Sequence, residues 1–205
     1  MTRHIRWQII LILLGVVLVG ILLAYLAANY TTVSRPAHGG TYVEGVAGFP
    51  TYLNPLLLSS ANEVDRDLCS LIFSGLTRIN ARGEVVPDLA RGWEISLDGK
   101  SYTFSLRANA YWHDGFPVTA DDVLFTIALL QDPGFPAWPE MGVELWRTVA
   151  VEKVDNRTVR FTLMEPYARF LDYTSVGILP VHTLRGIRAA DLPNAAFNLR
   201  PIGSG

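Results

Sequence analysis

Residues Ile9 to Ala28 read IILILLGVVLVGILLAYLAA, twenty residues without a charge. As a helix with 1.5 Å rise per residue, the run is long enough to cross a ~30 Å hydrocarbon core. Arg3 and Arg6 precede it and Trp7 stands at the expected interface. The N-terminus is therefore expected on the cytoplasmic side and everything beyond Asn29 outside. Two readings compete, a cleaved signal peptide and a retained single-pass anchor. Signal peptides carry an apolar core of about 7–15 residues and a small-residue A-x-A cleavage site. Here the run is longer, and cutting after Ala28 or Ala27 leaves Leu26 or Tyr25 three residues back. The retained anchor is the favoured reading. No cysteine lies near the end of the segment, which excludes a lipoprotein anchor. Under either reading the remainder is exported, to a periplasmic or extracellular location.

The 205 residues allow one domain or parts of two. Half are hydrophobic, and the apolar segment accounts for much of that. The net charge is −2 with both signs dispersed. Without a basic stripe nothing points to nucleic acid. Cys69 is the only cysteine, so no intrachain disulfide or cysteine-based metal cluster can form. In DLCSLIF it reads as a small buried hydrophobe.

Residues 29–40, NYTTVSRPAHGG, read as a polar linker between the segment at 1–28 and a domain over 41–205. A strand-like TYVEGVA follows, then GFPTYLNP, whose Gly48, Pro50, Asn54 and Pro55 break regular structure twice. From about Ser60, Val64, Leu68, Leu71 and Ile72 recur at helical spacing, with Asn62 as N-cap and Asp65 in the capping-box position. LTRIN-ARG-EVVPDLA reads as a short hairpin. WEIS-LDG-KSYTFSLR is the clearest hairpin, Tyr102, Phe104 and Leu106 alternating with polar residues across an Asp98-Gly99 turn. A further hairpin spans 149–163 around Asp155-Asn156. Between these two lies a helix capped by Thr119, with Asp121 and Asp122 in its first turn, apolar on nearly every side and ended by Asp132-Pro133-Gly134.

The catalytic motifs fail one by one. His113 and Asp114 are adjacent at a tight turn, where a carboxylate rarely orients its neighbour's imidazole toward a third group. No serine or cysteine stands in a nucleophile motif. Asp114 reads as the residue that closes the turn. His4, His38 and His182 show no metal-ligand spacing, and Gly39-Gly40 precede a strand-like segment, not the helix of a phosphate loop. The many aromatics sit mostly at alternating hairpin positions, where core packing is the default. An exported α/β domain without catalytic apparatus, metal or cofactor points to binding.

The order of segments adds a resemblance. GFPTYLNPLL, then DLCSLIFSGLTRINARGEVVPDLARGWEISLDGKSYTFSLR, then AYWHDGFPVTADDVLFT resembles the start of the family 5 extracellular solute-binding proteins, the peptide- and nickel-type receptors of ABC importers. MEPYARFLDYTSVGILPVHTL and RPIGSG continue the likeness to residue 205. The resemblance implies a periplasmic-binding-protein-like type II clamshell, present here as the first part of its ligand-binding lobe. A subdomain over about 65–180 is inserted in that lobe, with 41–64 supplying its first strand. It implies a peptide or other small solute as ligand and ABC permease subunits as partners. By carry-over, Gly48, Phe49 and Pro50 are the substrate-binding candidates, and Phe125 occupies a helix position where some members place a cleft-facing aromatic. A core role for Phe125 stays open. The family usually continues through a second lobe that closes on the solute, so a truncated fragment is one alternative, and binding by 41–205 alone is expected to be weak. A membrane-anchored solute sensor and an exported hydrolase are the other two.

Overall fold

The computed structural model describes residues 2–30, 43–135 and 142–205. The linker expected at 29–40 lies, beyond Tyr30, outside the described residues. The chain divides into two compact units, Met1–Gly45 and Val46–Gly205.

Within the first unit the structure describes one helix, α1, Thr2–Tyr30, 29 residues long. Its described apolar side chains, from Leu11 to Leu26, face outward. Among the described residues no helix is long and apolar enough to cross a membrane. In α1 the described side chains run without a break only from 13 to 27, about 22 Å at the helical rise.

In the second unit the hairpins form where alternation and turn residues put them. β1 (Thr77–Ile79) pairs with β2 (Val85–Pro87). β3 (Ala90–Ile95), β4 (Ser101–Leu106), β5 (Ala150–Asp155) and β6 (Thr158–Thr162) make one antiparallel sheet in the order β3-β4-β6-β5. The β1–β2 turn needs Gly83 at φ 77° and the β3–β4 turn Gly99 at φ 68°, conformations that favour glycine. β4 buries Tyr102, Phe104 and Leu106 on one face. Phe104 pairs across to Val159 and Tyr102 to Phe161, so one apolar face runs through both central strands. Phe161 meets Phe104 edge-on at 5.6 Å, and Phe170 packs on Tyr102 at 4.7 Å. Each buried ring contributes roughly 1.5–3 kcal/mol of transfer free energy.

The helix α3 (Ala120–Gln131) packs on this face. Thr119 and Asp122 close a capping box, in which the carboxylate of Asp122 accepts the Thr119 N–H at 2.8 Å. Seven of its residues are buried, among them Asp122 and Thr126. Both polar groups are satisfied: Asp122 also accepts from Val181 N–H at 3.0 Å, and the Thr126 hydroxyl accepts from Leu179 N–H at 2.9 Å. These bonds dock the segment that enters α6 (Val181–Leu184) onto α3.

One expectation needs correction. The strand-like reading of residues 41–47 fails over its described part: residues 43–46 have no regular structure and Val43 is 85% exposed. A strand requires a ladder partner to satisfy its N–H and C=O groups, and these residues pair with none among those described. The same finding removes the first strand expected within 41–64. The helix α2 is Glu63–Ile72, and its buried face is rotated from the apolar stripe: Asp65 and Cys69 are buried, Phe73 follows them, and Leu71 points outward at 73% exposure. Asn62 caps the helix by accepting from Asp65 N–H at 3.3 Å. The Asp65 carboxylate is engaged elsewhere, which explains both its burial and the rotation.

Candidate functional site

The Asp65 carboxylate accepts the backbone N–H of Thr51 at 2.7 Å and that of Tyr52 at 3.0 Å. Two residues on, Leu53 N–H donates to the carbonyl of Asn198 at 3.0 Å. Asn54, fully buried, donates from Nδ2 to Oδ1 of Asn198 at 2.9 Å and accepts from Leu56 N–H at 3.0 Å. Asn198 in turn holds the carbonyls of Leu192 and Pro193. The sequence Asn54-Pro55 is thus a buried polar junction between segments 144 residues apart, fully satisfied as its burial requires. It fixes residues 51–54 as a rigid base.

Residues 48–50 project from that base. Gly48 has φ 134°, and a Cβ there would stand 3.0 Å from Val64 Cγ2. Only glycine takes this conformation without strain. Phe49 follows it with 76% of its surface exposed, and Pro50 is exposed beside it. Gly48, Phe49 and Pro50 therefore form one exposed stretch, with a large apolar side chain two residues ahead of the backbone pinned at 51–54. Phe125 is not part of it. It sits on α3, half-buried and packed against the core.

The acid–base cluster differs from the one the sequence suggests. Tyr111 and Pro117 form a bridge around the turn, Gly115 takes φ 89°, and Asp114 Oδ1 accepts Phe116 N–H at 3.3 Å. The turn reading of Asp114 is right. Its other oxygen, however, meets Nε2 of His182 at 2.8 Å. The imidazole of His182 stacks on Phe116 at 4.6 Å. That hydrogen bond holds the Asp114 carboxyl below the ordinary carboxylate range. His113 turns away: Nδ1 accepts Gly203 N–H at 3.3 Å, and Nε2 lies 3.2 Å from the carbonyl of Gly205. The imidazole–carboxylate pair thus joins residues 68 apart. Among the described residues no serine, threonine or cysteine is hydrogen-bonded to the His182 ring, and the pair docks α6 against the turn.

A cleft of about 450 Å³ opens between α2 and the helix α5, Phe170–Tyr173. Cys69 and Phe73 face it from one side and Tyr173 from the other. Burial, reinforced by the charge of Asp65, pushes the Cys69 thiol up to about 12. It is a neutral, unreactive wall group. Among the described residues no group of three or more His, Cys, Asp or Glu side chains is placed to hold a metal ion.

The model of the bacterial extracellular solute-binding proteins, family 5, middle region, matches residues 84–205. Di/tripeptide-binding protein 1 of Pseudomonas aeruginosa is 32% identical over 183 residues, covering 77% of this chain and 33% of that protein. The solved structure of the oligopeptide-binding protein AppA from Bacillus subtilis, in complex with a nonapeptide, is similar with a TM-score of 0.74 and 30% identity. That match covers 83% of this chain and 34% of AppA. NikZ from Campylobacter jejuni, solved with Ni(L-His), is 35% identical with a TM-score of 0.66, over 77% of this chain and 30% of NikZ. The chain spans about a third of the length of the curated relatives it matches. The fold is the mixed α/β type of these type II periplasmic-binding-protein-like structures.

Proposed function

The chain belongs to the family 5 bacterial extracellular solute-binding proteins, and from that membership we propose that it serves as a peptide-binding receptor component of an ABC-type importer. Members of the family are binding receptors, not enzymes. The peptide assignment is supported by the names of the relatives, a di/tripeptide-binding protein and a dipeptide-binding protein among them. One observation in the molecule supports it: an exposed aromatic, Phe49, directly ahead of a backbone stretch that Asp65 and Asn54 hold at residues 51–54. A rigid, exposed apolar group loses little entropy when a ligand side chain packs on it. Gly48 and Pro50 supply the backbone shape; Phe125, packed against the core on α3 and outside that stretch, enters the proposal only as the helix-borne candidate that the family resemblance carries over. We place the inserted subdomain at about 65–180 and take ABC permease subunits as partners.

The anchor belongs to the same proposal. α1 is one helix of 29 residues, about 43 Å long. It carries the twenty-residue uncharged run, with Arg3 and Arg6 before it. We propose that it stays in the membrane and holds the binding unit on the extracytoplasmic side. N-terminal sequencing of the membrane fraction from a bacterial host checks this. Met1 or Thr2 is the expected first residue, and a soluble product starting between Asn29 and Gly40 overturns the anchor.

The binding site is tested by replacing Phe49 with a photo-crosslinking benzoylphenylalanine in the full chain and irradiating with tritiated tripeptides. Expected is saturable labelling at position 49, competed by unlabelled peptide. Leu97, an exposed hairpin-tip residue, is the control position. Labelling at 49 no stronger than at 97 overturns the assignment.

A further inference from the structure

The cleft between α2 and α5 uses none of residues 48–50 or Phe125, and its chemistry is specific. Its walls are preformed. The α5 side is tied down by two buried threonines: Thr77 Oγ1 and Thr174 Oγ1 lie 2.8 Å apart, one hydroxyl donating to the other, and both oxygens lie within hydrogen-bond reach of the carbonyl of Leu171, at 3.1 and 2.8 Å. Thr77 N–H donates to the carbonyl of Thr174 as well. On the α2 side, Cys69 and Phe73 are buried in the core. At the base the chain at Gly177 comes so close to Pro55 and Phe73 that a Cβ there would stand 2.7 Å from Pro55 Cβ. The cavity between these walls is therefore not a gap that a rotamer change would fill.

Its charge is unbalanced. Three ionic side chains line it: Arg66, Arg169 and Asp172. Arg169 Nε donates to Asp172 Oδ2 at 2.9 Å, so those two neutralise each other. Arg66 Nη1 donates only to a backbone carbonyl, that of Ser60, at 3.0 Å. Among the described residues no carboxylate lies within ion-pair distance of Arg66. A guanidinium presents five donors in a planar fork suited to a carboxylate. Beneath it lie Leu58, Phe73 and Val176, which are apolar.

We propose that this cleft binds a compact carboxylate with a branched or aromatic apolar body, the acid on Arg66 and the body between Leu58, Phe73 and Val176. The free C-terminus of a short peptide and a free short-chain acid share this chemistry. The proposal goes beyond the receptor reading above, because it stands on different residues and is read with a different probe.

The test is an NMR titration of the full chain in detergent with N-acetyl-L-leucine, its neutral counterpart N-acetyl-L-leucinamide, and 4-methylpentanoate. Expected is saturable binding of N-acetyl-L-leucine with Kd of about 1 mM or tighter, with shifts on Phe73 and Val176. The amide binds at least about tenfold more weakly, the effect of one charge-assisted contact. Arg66→Gln, an exposed substitution, produces the same loss, whereas Arg82→Gln, which removes the same charge on the β1–β2 turn, does not. Ser70→Trp fills the cleft from the exposed face of α2 and abolishes binding. If 4-methylpentanoate binds as well as N-acetyl-L-leucine, the site takes free acids generally; if it binds far more weakly, the site reads a peptide terminus. Both outcomes support the cleft. Equal binding of acid and amide, unchanged binding by Arg66→Gln in a folded protein, or no saturation by either acid overturns it.

Discussion

Asp65→Asn isolates the element on which the candidate peptide site stands. The carboxylate is 2% exposed and accepts from Thr51 N–H at 2.7 Å and Tyr52 N–H at 3.0 Å, one oxygen to each. Asparagine keeps the shape but offers one oxygen and one NH2 group. One of the two N–H groups then faces a donor and loses its partner. A hydrogen bond to a charged group contributes about 1.5–3 kcal/mol, and an orphaned, partly buried donor costs about 1–3 kcal/mol. The surviving bond becomes a neutral one of roughly half the strength. These terms overlap, so a net loss of about 2–4 kcal/mol is expected. For a unit of this size each kcal/mol lowers Tm by about 2–4 °C. The melting temperature of the binding unit should fall accordingly, with Asp67→Asn, an exposed neighbour, as the unshifted control. Hydrogen exchange gives the local readout. Thr51 and Tyr52 amides should lose protection by at least about tenfold, the equivalent of 1.4 kcal/mol, while β4 and β6 amides keep a protection set by the core. An Asp65→Asn protein that melts with the parent and still protects both amides would refute the argument that this carboxylate pins the stretch next to Phe49.

Three further outcomes follow from other contacts. Gly203→Ala places a Cβ inside the contact distance of the Ile72 carbonyl oxygen, where Ser204 and Gly205 N–H also donate; a loss of about 3 kcal/mol or more in denaturant melts is expected, at the upper end of overpacking costs. Asp114, held low by the hydrogen bond from His182, has a folded value below its unfolded value of about 3.9. Its contribution is present above that pH and is lost as pH falls through the folded value, so Asp114→Asn should lower stability at neutral pH, leave it little changed below the folded value, and flatten the acid limb between the two. Cys69, at about 12 through burial, should resist a chromogenic disulfide reagent at pH 8 in the native state and react at once in denaturant; rapid native reaction would show that the α2 wall opens.

How much of this was legible in the sequence depends on how far apart the interacting residues lie. The three hairpins and α3 announce themselves because their determinants are local. Gly83 and Gly99 set the turns, Tyr102, Phe104 and Leu106 alternate, and Thr119 and Asp122 cap within three residues. The helix α2 and its Asn62 cap are local, but its buried face is not, because the apolar stripe Val64, Leu68, Leu71 and Ile72 carries no record that a carboxylate one position along is buried by the amides of residues 51 and 52. The strand expected before Gly48 failed for the converse reason: alternation supplies a face but not a ladder partner. The imidazole–carboxylate pair joins Asp114 to a histidine 68 residues on, and Asn54 meets Asn198 across 144, distances at which no spacing rule operates. The carried-over stretch Gly48-Phe49-Pro50 was named by resemblance. Its physical character, an exposed ring ahead of a pinned backbone, comes from Asp65 and Asn54, which local patterns marked only as a cap partner and a helix-breaking turn. The cleft at Arg66 left no local signal at all, since its α2 and α5 walls come from distant parts of the chain and the α5 wall is held on β1 by the contact of Thr77 with Thr174. Local chemistry therefore specifies the scaffold of this chain, and its candidate binding surfaces lie where buried polar residues join distant segments.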